Sequence, residues 1–227
     1  TKIWDRLFLV NPNYTEIHGK RCYPSILDVE AEIDYATLRI SASVLPQALE
    51  ECIRKGVKVA QIYTAGFSET GIPERIQQER DLQRQATGRI RLIGPNCFGV
   101  YCPKAGLRII PESPADAGHI GVVSQSGGVA EAFSYFAVTR NLRFSKVVSY
   151  GNAIDLDGDD FLEYLADDPE TKVIAFYVEG TRNAGRLKTA LAKAARRKPV
   201  IVIKGGVTEQ GTRAVASHTA SLAGSPE

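Results

Sequence analysis

Short apolar runs alternate with amphipathic stretches along most of the chain. This alternation predicts βα units and a mainly parallel sheet. The predicted strands cover residues 6–11, 57–64, 89–94, 119–124, 144–150, 172–179 and 198–205. The predicted helices cover residues 45–56, 73–88, 127–140, 159–168 and 183–197. The pattern is that of an α/β protein.

A loop rich in proline and other turn residues, "IIPESPADAG" (109–118), interrupts the alternation and predicts a domain boundary. We expect a Rossmann-like domain over residues 1–113. A flavodoxin-like, doubly wound parallel-sheet domain is expected over residues 114–227. No Gly-rich turn precedes the first predicted strand and no closing strand follows the last loop, so we expect a piece of a longer protein.

The composition of the chain argues against nucleic-acid and membrane partners. Lysine and arginine number 28 against 26 acidic residues, a net charge of +2, and there is no basic run. We therefore expect no nucleic-acid partner. No stretch of about 18 apolar residues occurs, so no membrane span is expected. The four scattered cysteines fit neither a redox pair nor a metal site, and we expect a reduced, cytoplasmic chain.

The segment "VVSQSGGVAEAF" (122–133) joins a predicted strand to a predicted helix through a turn of serines and glycines. Glycines allow a close approach to the backbone, and the N–H groups of a first helical turn favour an anion. The candidate phosphate-binding residues are Ser124, Gln125, Ser126, Gly127 and Gly128. The alternative is an ordinary helix cap made by one of the two serines.

Two other segments resemble catalytic motifs but lack a residue that the motif requires. A hydrolase nucleophile elbow requires G-x-S-x-G, and Ser124 stands where the first glycine is needed. The segment "GVTEQGTR" (206–213) resembles a P-loop but carries Thr212 and Arg213 where the motif requires lysine and a hydroxyl residue. Neither chemistry is predicted.

Several chemically capable residues follow strands that should end at one edge of the second sheet. Glu179 follows one predicted strand, Asn152 follows another, and the last strand leads to a small-sided loop with His218. A carboxylate bonded to one imidazole nitrogen leaves the other nitrogen nucleophilic. We expect Glu179 and His218 to face the serine–glycine turn. The alternative for Glu179 is a solvated strand-end carboxylate.

These segments together resemble a known family. "SQSGG", "SYGNAIDLDGDDFLEYLADDPETKVIAFYVEG" and "KGGVTEQGTRAVASHTASLAGS" are similar to the second domain of the ADP-forming acyl-CoA synthetases, relatives of the succinyl-CoA synthetase α subunit. "LVNPNY", "AGF" and "RLIGPNCFGVYCP" resemble the CoA-binding domain that precedes it. The segment "RISAS" (39–43) departs from the family, which has an apolar strand ending in Val-Pro-Ala there.

The resemblance implies a role for each candidate residue. His218 matches the histidine that is phosphorylated, Glu179 matches the acid that orients it, and the turn at 124–128 matches the helix N-terminus that receives the phosphoryl group. The residues expected to line the CoA or acyl site are Asn11, Pro12, Thr64, Ala65, Gly66, Asn96 and Asn152. Cys97 suggests a covalent acyl carrier, for which a half-buried structural thiol is the alternative.

The implied reaction interconverts acyl-CoA, ADP and phosphate with a carboxylate, CoA and ATP, through an acyl phosphate and a phosphohistidine. Coenzyme A is then a substrate. ATP or ADP with Mg²⁺ would bind an ATP-grasp domain or β subunit, and we expect an oligomer. The alternative is a non-catalytic acyl-CoA-binding module, such as the regulatory part of a protein acetyltransferase fusion.

Overall fold

The structure is a computed structural model that describes residues 3–108, 113–208 and 211. The strands are β1 (Leu9–Val10), β2 (Glu16–Ile17), β3 (Lys20–Tyr23), β4 (Tyr35–Leu38), β5 (Val59–Ile62), β6 (Arg91–Ile93), β7 (Gly99–Tyr101), β8 (Ile120–Ser124), β9 (Phe144–Ser149), β10 (Val173–Val178) and β11 (Val200–Lys204). The helices are α1 (Leu45–Lys55), α2 (Pro73–Ala86), α3 (Gly127–Arg140), α4 (Gly158–Asp167) and α5 (Ala184–Ala195). Within this part of the chain no helix is long and apolar enough to cross a membrane.

The first domain is built on a three-stranded parallel sheet in the order β4-β5-β6. Its helix α1 buries Leu45, Leu49 and Cys52, which recur at the spacing of one helical face. The helix ends at Gly56, whose φ of 78° is the left-handed conformation that glycine adopts readily. The apolar pattern and the glycine stop therefore both predict this helix correctly.

The second domain contains a five-stranded sheet in the order β11-β10-β8-β9-β7. Four of the strands are parallel, and β7 pairs antiparallel with β9 at one edge. The parallel strands have the flavodoxin-like order, in which the first strand of the domain lies between the second and the third. The predicted α/β class with its doubly wound second domain is confirmed.

Four of the described strands were not predicted from the sequence, and one predicted strand is shorter in the structure. The strand predicted over 6–11 is only β1, and it pairs with β3 in a small sheet with β2, apart from the first domain's parallel sheet. The unpredicted strands are β2, β3, β4 and β7. Strand β7 precedes the predicted boundary yet belongs to the second sheet. The boundary between residues 113 and 114 stays a prediction, and residues 109–112 of that loop lie outside the described part.

The two domains dock through backbone hydrogen bonds beside β6. The N–H of Ile154 donates to the carbonyl of Gly94 at 3.1 Å, and the N–H of Leu156 donates to the carbonyl of Leu92 at 3.2 Å. Arg91 of β6 forms an ion pair with Asp155 at 2.8 Å. Ile154 is buried among the apolar side chains of the first domain. The segment after β9 therefore fixes how the edges of the two sheets face each other.

Candidate functional site

Three parallel strands bring their carboxyl ends to one edge of the second sheet. Tyr177 of β10 lies opposite Ser124 of β8 on one side and Ile203 of β11 on the other. Gln125, which follows β8, is buried, and its Oε1 accepts the N–H of Glu179 at 2.8 Å and of Gly180 at 3.0 Å. The predicted convergence of Glu179 and the turn after β8 at this edge is confirmed, and the Gln125 side chain joins the two strand ends.

Glu179 is 4% exposed, although it directly follows a strand. Its Oε1 accepts a hydrogen bond from the Tyr177 hydroxyl at 3.2 Å, and Lys204 Nζ donates to its carbonyl oxygen at 2.8 Å. The pKa of Tyr177 is raised to about 12, mainly by burial and secondly by the nearby Glu179 carboxylate, so the phenol keeps its proton and donates. The solvated alternative for Glu179 is therefore wrong.

The turn before α3 contains the helix cap that its sequence offered as one interpretation. Ser126 caps the helix, since its Oγ accepts the N–H of Val129 at 3.3 Å. Ser124 Oγ donates to the carbonyl of Ser126 at 2.7 Å. Helix geometry leaves the first-turn N–H groups without intrahelical partners, and these lie at the positive end of the helix dipole. The cap thus shapes the turn, and the phosphate-binding role of Gly127 and Gly128 stays a prediction.

The two glycines of this turn have different surroundings. A Cβ on Gly127 would lie 2.6 Å from the Phe98 ring, so this position needs glycine for the close approach of the first domain. Among the described residues, a Cβ on Gly128 would meet only Ser126 Oγ, at 3.9 Å. In the described part of the chain, the first domain therefore packs against Gly127 and leaves space beside Gly128.

A cavity of about 600 Å³ lies where the two domains meet, and both contribute to its walls. The second domain supplies the turn before α3 and Glu179, and the first domain supplies the loops that follow β4, β5 and β6. The lining residues are Arg39, Ile40, Ser41, Tyr63, Thr64, Ala65, Asn96, Cys97, Phe98, Gln125, Ser126, Gly127, Gly128 and Glu179. The turn before α3 and a buried carboxylate therefore line one cavity together with loops of the first domain.

Two aromatic side chains, Phe98 and Tyr63, form one wall of this cavity beside the turn. The Phe98 ring, which lies against Gly127, packs edge to face with Tyr63 at 5.7 Å between centroids. The Arg39 guanidinium lies 4.5 Å from the Tyr63 ring. Sequence reasoning missed these three lining residues. The departure of "RISAS" from the family pattern and the "GPNCFG" motif are the signals that pointed toward two of them.

Cys97 is unsuited to nucleophilic chemistry although it borders the cavity. It is 4% exposed, and its Sγ lies 3.5 Å from the carbonyl oxygen of Ile62. Burial raises the pKa of this thiol to about 12. Because the thiolate is the reactive form, the structure favours a structural role over a covalent acyl carrier.

The residues predicted for the CoA site fall into two groups. Thr64, Ala65 and Asn96 line the cavity. Four others are outside the lining set: Asn11, Pro12, Gly66 and Asn152. Asn11 follows β1, where its N–H donates to the carbonyl of Tyr23 at 2.9 Å. The ligand roles of all seven residues stay predictions.

His218 and the rest of the segment 213–224 lie outside the described residues. Its approach to Glu179 and to the turn before α3 therefore stays a prediction. Strand β11 ends at Lys204, on the same sheet edge as Glu179.

Comparison with known proteins agrees with this architecture. Residues 5–103 match the model of a CoA binding domain, and residues 117–227 match that of the succinyl-CoA ligase like flavodoxin domain. The chain is 42% identical to an ADP-forming acetate–CoA ligase of Methanocaldococcus jannaschii, over 96% of this chain and 31% of that protein. It therefore spans about a third of that relative's length.

The chain covers a larger share of two further relatives. A solved structure of Ca. Korarchaeum cryptofilum acetyl-coenzyme A synthetase 1, in complex with phosphate and ADP, superposes with a TM-score of 0.85 at 38% identity, covering 95% of this chain and 47% of that one. The α subunit 2 of an ADP-forming succinate–CoA ligase from Archaeoglobus fulgidus is 31% identical over 86% of this chain and 67% of its own. The chain belongs to the ADP-forming acyl-CoA synthetase family and corresponds to the portion related to the succinate–CoA ligase α subunit.

Proposed function

We propose that this chain is the acyl-CoA-binding and phosphoryl-accepting portion of an ADP-forming acyl-CoA synthetase. The observation that carries the proposal is the shared cavity, in which the turn before α3 faces the loops of the CoA-binding domain. A thioester bound by the first domain would thus lie beside a phosphate bound by the second. This placement suits a reaction between the two substrates.

In the first step a phosphate oxygen would attack the thioester carbonyl, forming an acyl phosphate and releasing CoA as its thiol. The N–H groups of Gly127 and Gly128 would hold the phosphate and stabilise its negative charge, which a preorganised helix N-terminus does well. The aromatic wall of Phe98 and Tyr63 would exclude water from the thioester. Holding both reactants in one cavity supplies much of the rate enhancement.

In the second step a nitrogen of His218 would take the phosphoryl group, and the carboxylate would leave. We assign Glu179 as the acid that holds the opposite ring nitrogen. Its burial supports this role, because a buried carboxylate interacts more strongly with a cationic or phosphorylated imidazole than a solvated one does. Gln125 would keep Glu179 in place through the two backbone N–H groups that it accepts.

The phosphohistidine would then deliver its phosphoryl group to ADP on an ATP-grasp domain or β subunit, which would also hold Mg²⁺. The M. jannaschii relative, an ADP-forming acetate–CoA ligase, is about three times as long as this chain, and that length leaves room for such a domain. We further propose an oligomer in the cytoplasm, where the four free cysteines would stay reduced.

The experiment is to incubate the protein with acetyl-CoA and radiolabelled phosphate and to map the label. We expect an acid-labile, base-stable phosphoryl group on His218 and its loss in a His218→Asn variant. Glu179→Gln should slow labelling by about 10²–10⁴-fold, the range for a positioned acid–base group. A wild-type protein that binds acetyl-CoA but acquires no label would instead be the non-catalytic acyl-CoA-binding module.

A further inference from the structure

We propose that Asn152 is a positioning residue for acyl-CoA binding, because it is hydrogen-bonded to three segments that border the junction cavity or lie next to its lining residues. The inference rests on the proposed function of that cavity and goes beyond it. Asn152 is not among the lining residues, so it would act through its neighbours.

The first segment is the loop that carries Thr64 and Ala65. Asn152 Nδ2 donates to Glu69 Oε2 at 2.7 Å. The same carboxylate accepts the N–H of Gly66 at 2.5 Å and of Phe67 at 3.1 Å. Glu69 therefore fixes the turn directly after the lining residues, and Asn152 fixes Glu69.

The second segment is the loop after β6. The N–H of Asn152 donates to the carbonyl of Pro95 at 3.0 Å, and its Oδ1 accepts from Asn96 Nδ2 at 3.4 Å. Asn96 lines the cavity with a φ of 57°, a left-handed conformation that asparagine adopts more readily than other residues with a side chain. Asn152 is one of the groups that hold Asn96 there.

The third segment is the one that follows Glu179. Arg182 Nη2 donates to the carbonyl of Asn152 at 3.1 Å and lies 3.7 Å from the Glu79 carboxylate. Glu79 is 5% exposed, and its Oε2 accepts from Asn152 Nδ2 at 2.7 Å. Through this contact one residue connects the catalytic edge of the second sheet with two loops of the first domain.

The chemistry of the position explains why it is an amide. Two carboxylates, those of Glu69 and Glu79, converge on the same Asn152 nitrogen, and only a donor can satisfy both. An aspartate would add a third carboxylate and remove the donor. The amide oxygen is directed at Asn96, so both ends of the side chain are engaged by protein groups.

The test is calorimetric titration of the full protein with CoA, comparing wild type with Asn152→Asp and Asn152→Ala. We expect Kd to rise by about tenfold or more in both variants, which corresponds to the loss of hydrogen bonds to charged groups. Asn152→Asp should be the weaker binder because of its added charge. The charge-conserving pair Asn152→Asp with Glu79→Gln should recover part of the affinity, since the new amide can donate to the new carboxylate.

Gln83→Ala is the matched control. Gln83 Nε2 also donates across the domain junction, to the carbonyl of Ile154, but Gln83 is not part of the network around Asn152. We expect its Kd for CoA to equal that of wild type. If Gln83→Ala and Asn152→Ala weaken CoA binding equally, Asn152 only joins the two domains and the inference is overturned.

The remaining outcomes separate this inference from the proposed function. A wild-type protein that binds no CoA overturns both. A wild-type protein that binds CoA with the same Kd as folded Asn152→Ala overturns the inference alone. Circular dichroism at matched concentration identifies any variant that fails to fold. In that case the double variant Asn152→Asp with Glu79→Gln tests the inference. If this double variant folds but recovers no affinity for CoA, the network is contradicted.

Discussion

Replacing Gly151 by alanine tests the docking of the two domains. Gly151 has a φ of 58°, and a Cβ there would lie 2.1 Å from the carbonyl oxygen of Pro95 and 2.4 Å from that of Asn96. A side chain in the left-handed region costs roughly 1–2 kcal/mol, and overpacking against backbone adds about 1–3 kcal/mol. We therefore expect the free energy of unfolding to fall by about 2–5 kcal/mol.

Gly56→Ala separates conformational strain from the clash. Gly56 has a φ of 78°, but a Cβ there would meet no described atom within 4 Å, so only the strain of roughly 1–2 kcal/mol remains. Urea denaturation followed by circular dichroism gives both values. Gly151→Ala should also weaken CoA binding, because it displaces the loop that carries Asn96. Equal losses of stability in the two variants would refute the docking described above.

Three further outcomes follow from the structure. Alkylation of Cys97 in the folded protein at pH 8 should be at least about 100-fold slower than in urea, because its pKa is about 12 and it is buried; equal rates would contradict this burial. Gly127→Ala should weaken CoA binding by displacing the Phe98 ring, whereas titration of Gly128→Ala should give the wild-type Kd. Lys146→Ala should cost about 3–5 kcal/mol in urea melts at neutral pH, since its Nζ lies 2.8 Å from the buried Asp168 carboxylate.

The same ion pair sets the sign of one pH effect. Burial alone would raise the pKa of Asp168, but hydrogen bonds from Lys146 and Thr171 outweigh it and hold the pKa below its usual 3.8. A carboxyl group with a lowered folded pKa stabilises the protein above its unfolded value, and that stability is lost as the pH falls through the folded value. Urea melts at decreasing pH should show this loss in wild type and a smaller one in Lys146→Ala.

The long elements of the second domain could be predicted from the sequence because each carries a strong local signal. Strands β8 and β10 are buried apolar runs, and α3 and α4 begin at capping residues. The short strands could not be predicted in this way. Strand β1 has two residues, and β7 exists because it pairs with a strand more than 40 positions later along the chain. Such pairing is decided by tertiary contacts rather than by local pattern.

The same distinction applies to the site. The convergence of Ser124 and Glu179 followed from the rule that parallel strands end at one edge. The opposite wall of the cavity did not, because Tyr63 and Phe98 reach it only once the two domains have docked. The contacts of Asn152 are likewise invisible in sequence, since its carboxylate partners lie more than 70 positions earlier in the chain.

The central claim is that one cavity between the two domains brings acyl-CoA and phosphate together. A crystal structure of the full protein with CoA and phosphate tests it most directly. The account predicts phosphate within hydrogen-bonding distance of the N–H groups of Gly127 and Gly128, with the CoA sulfur in the same cavity beside Phe98. A structure in which CoA binds with its sulfur outside this cavity, or in which phosphate occupies a site away from the turn before α3, would contradict it.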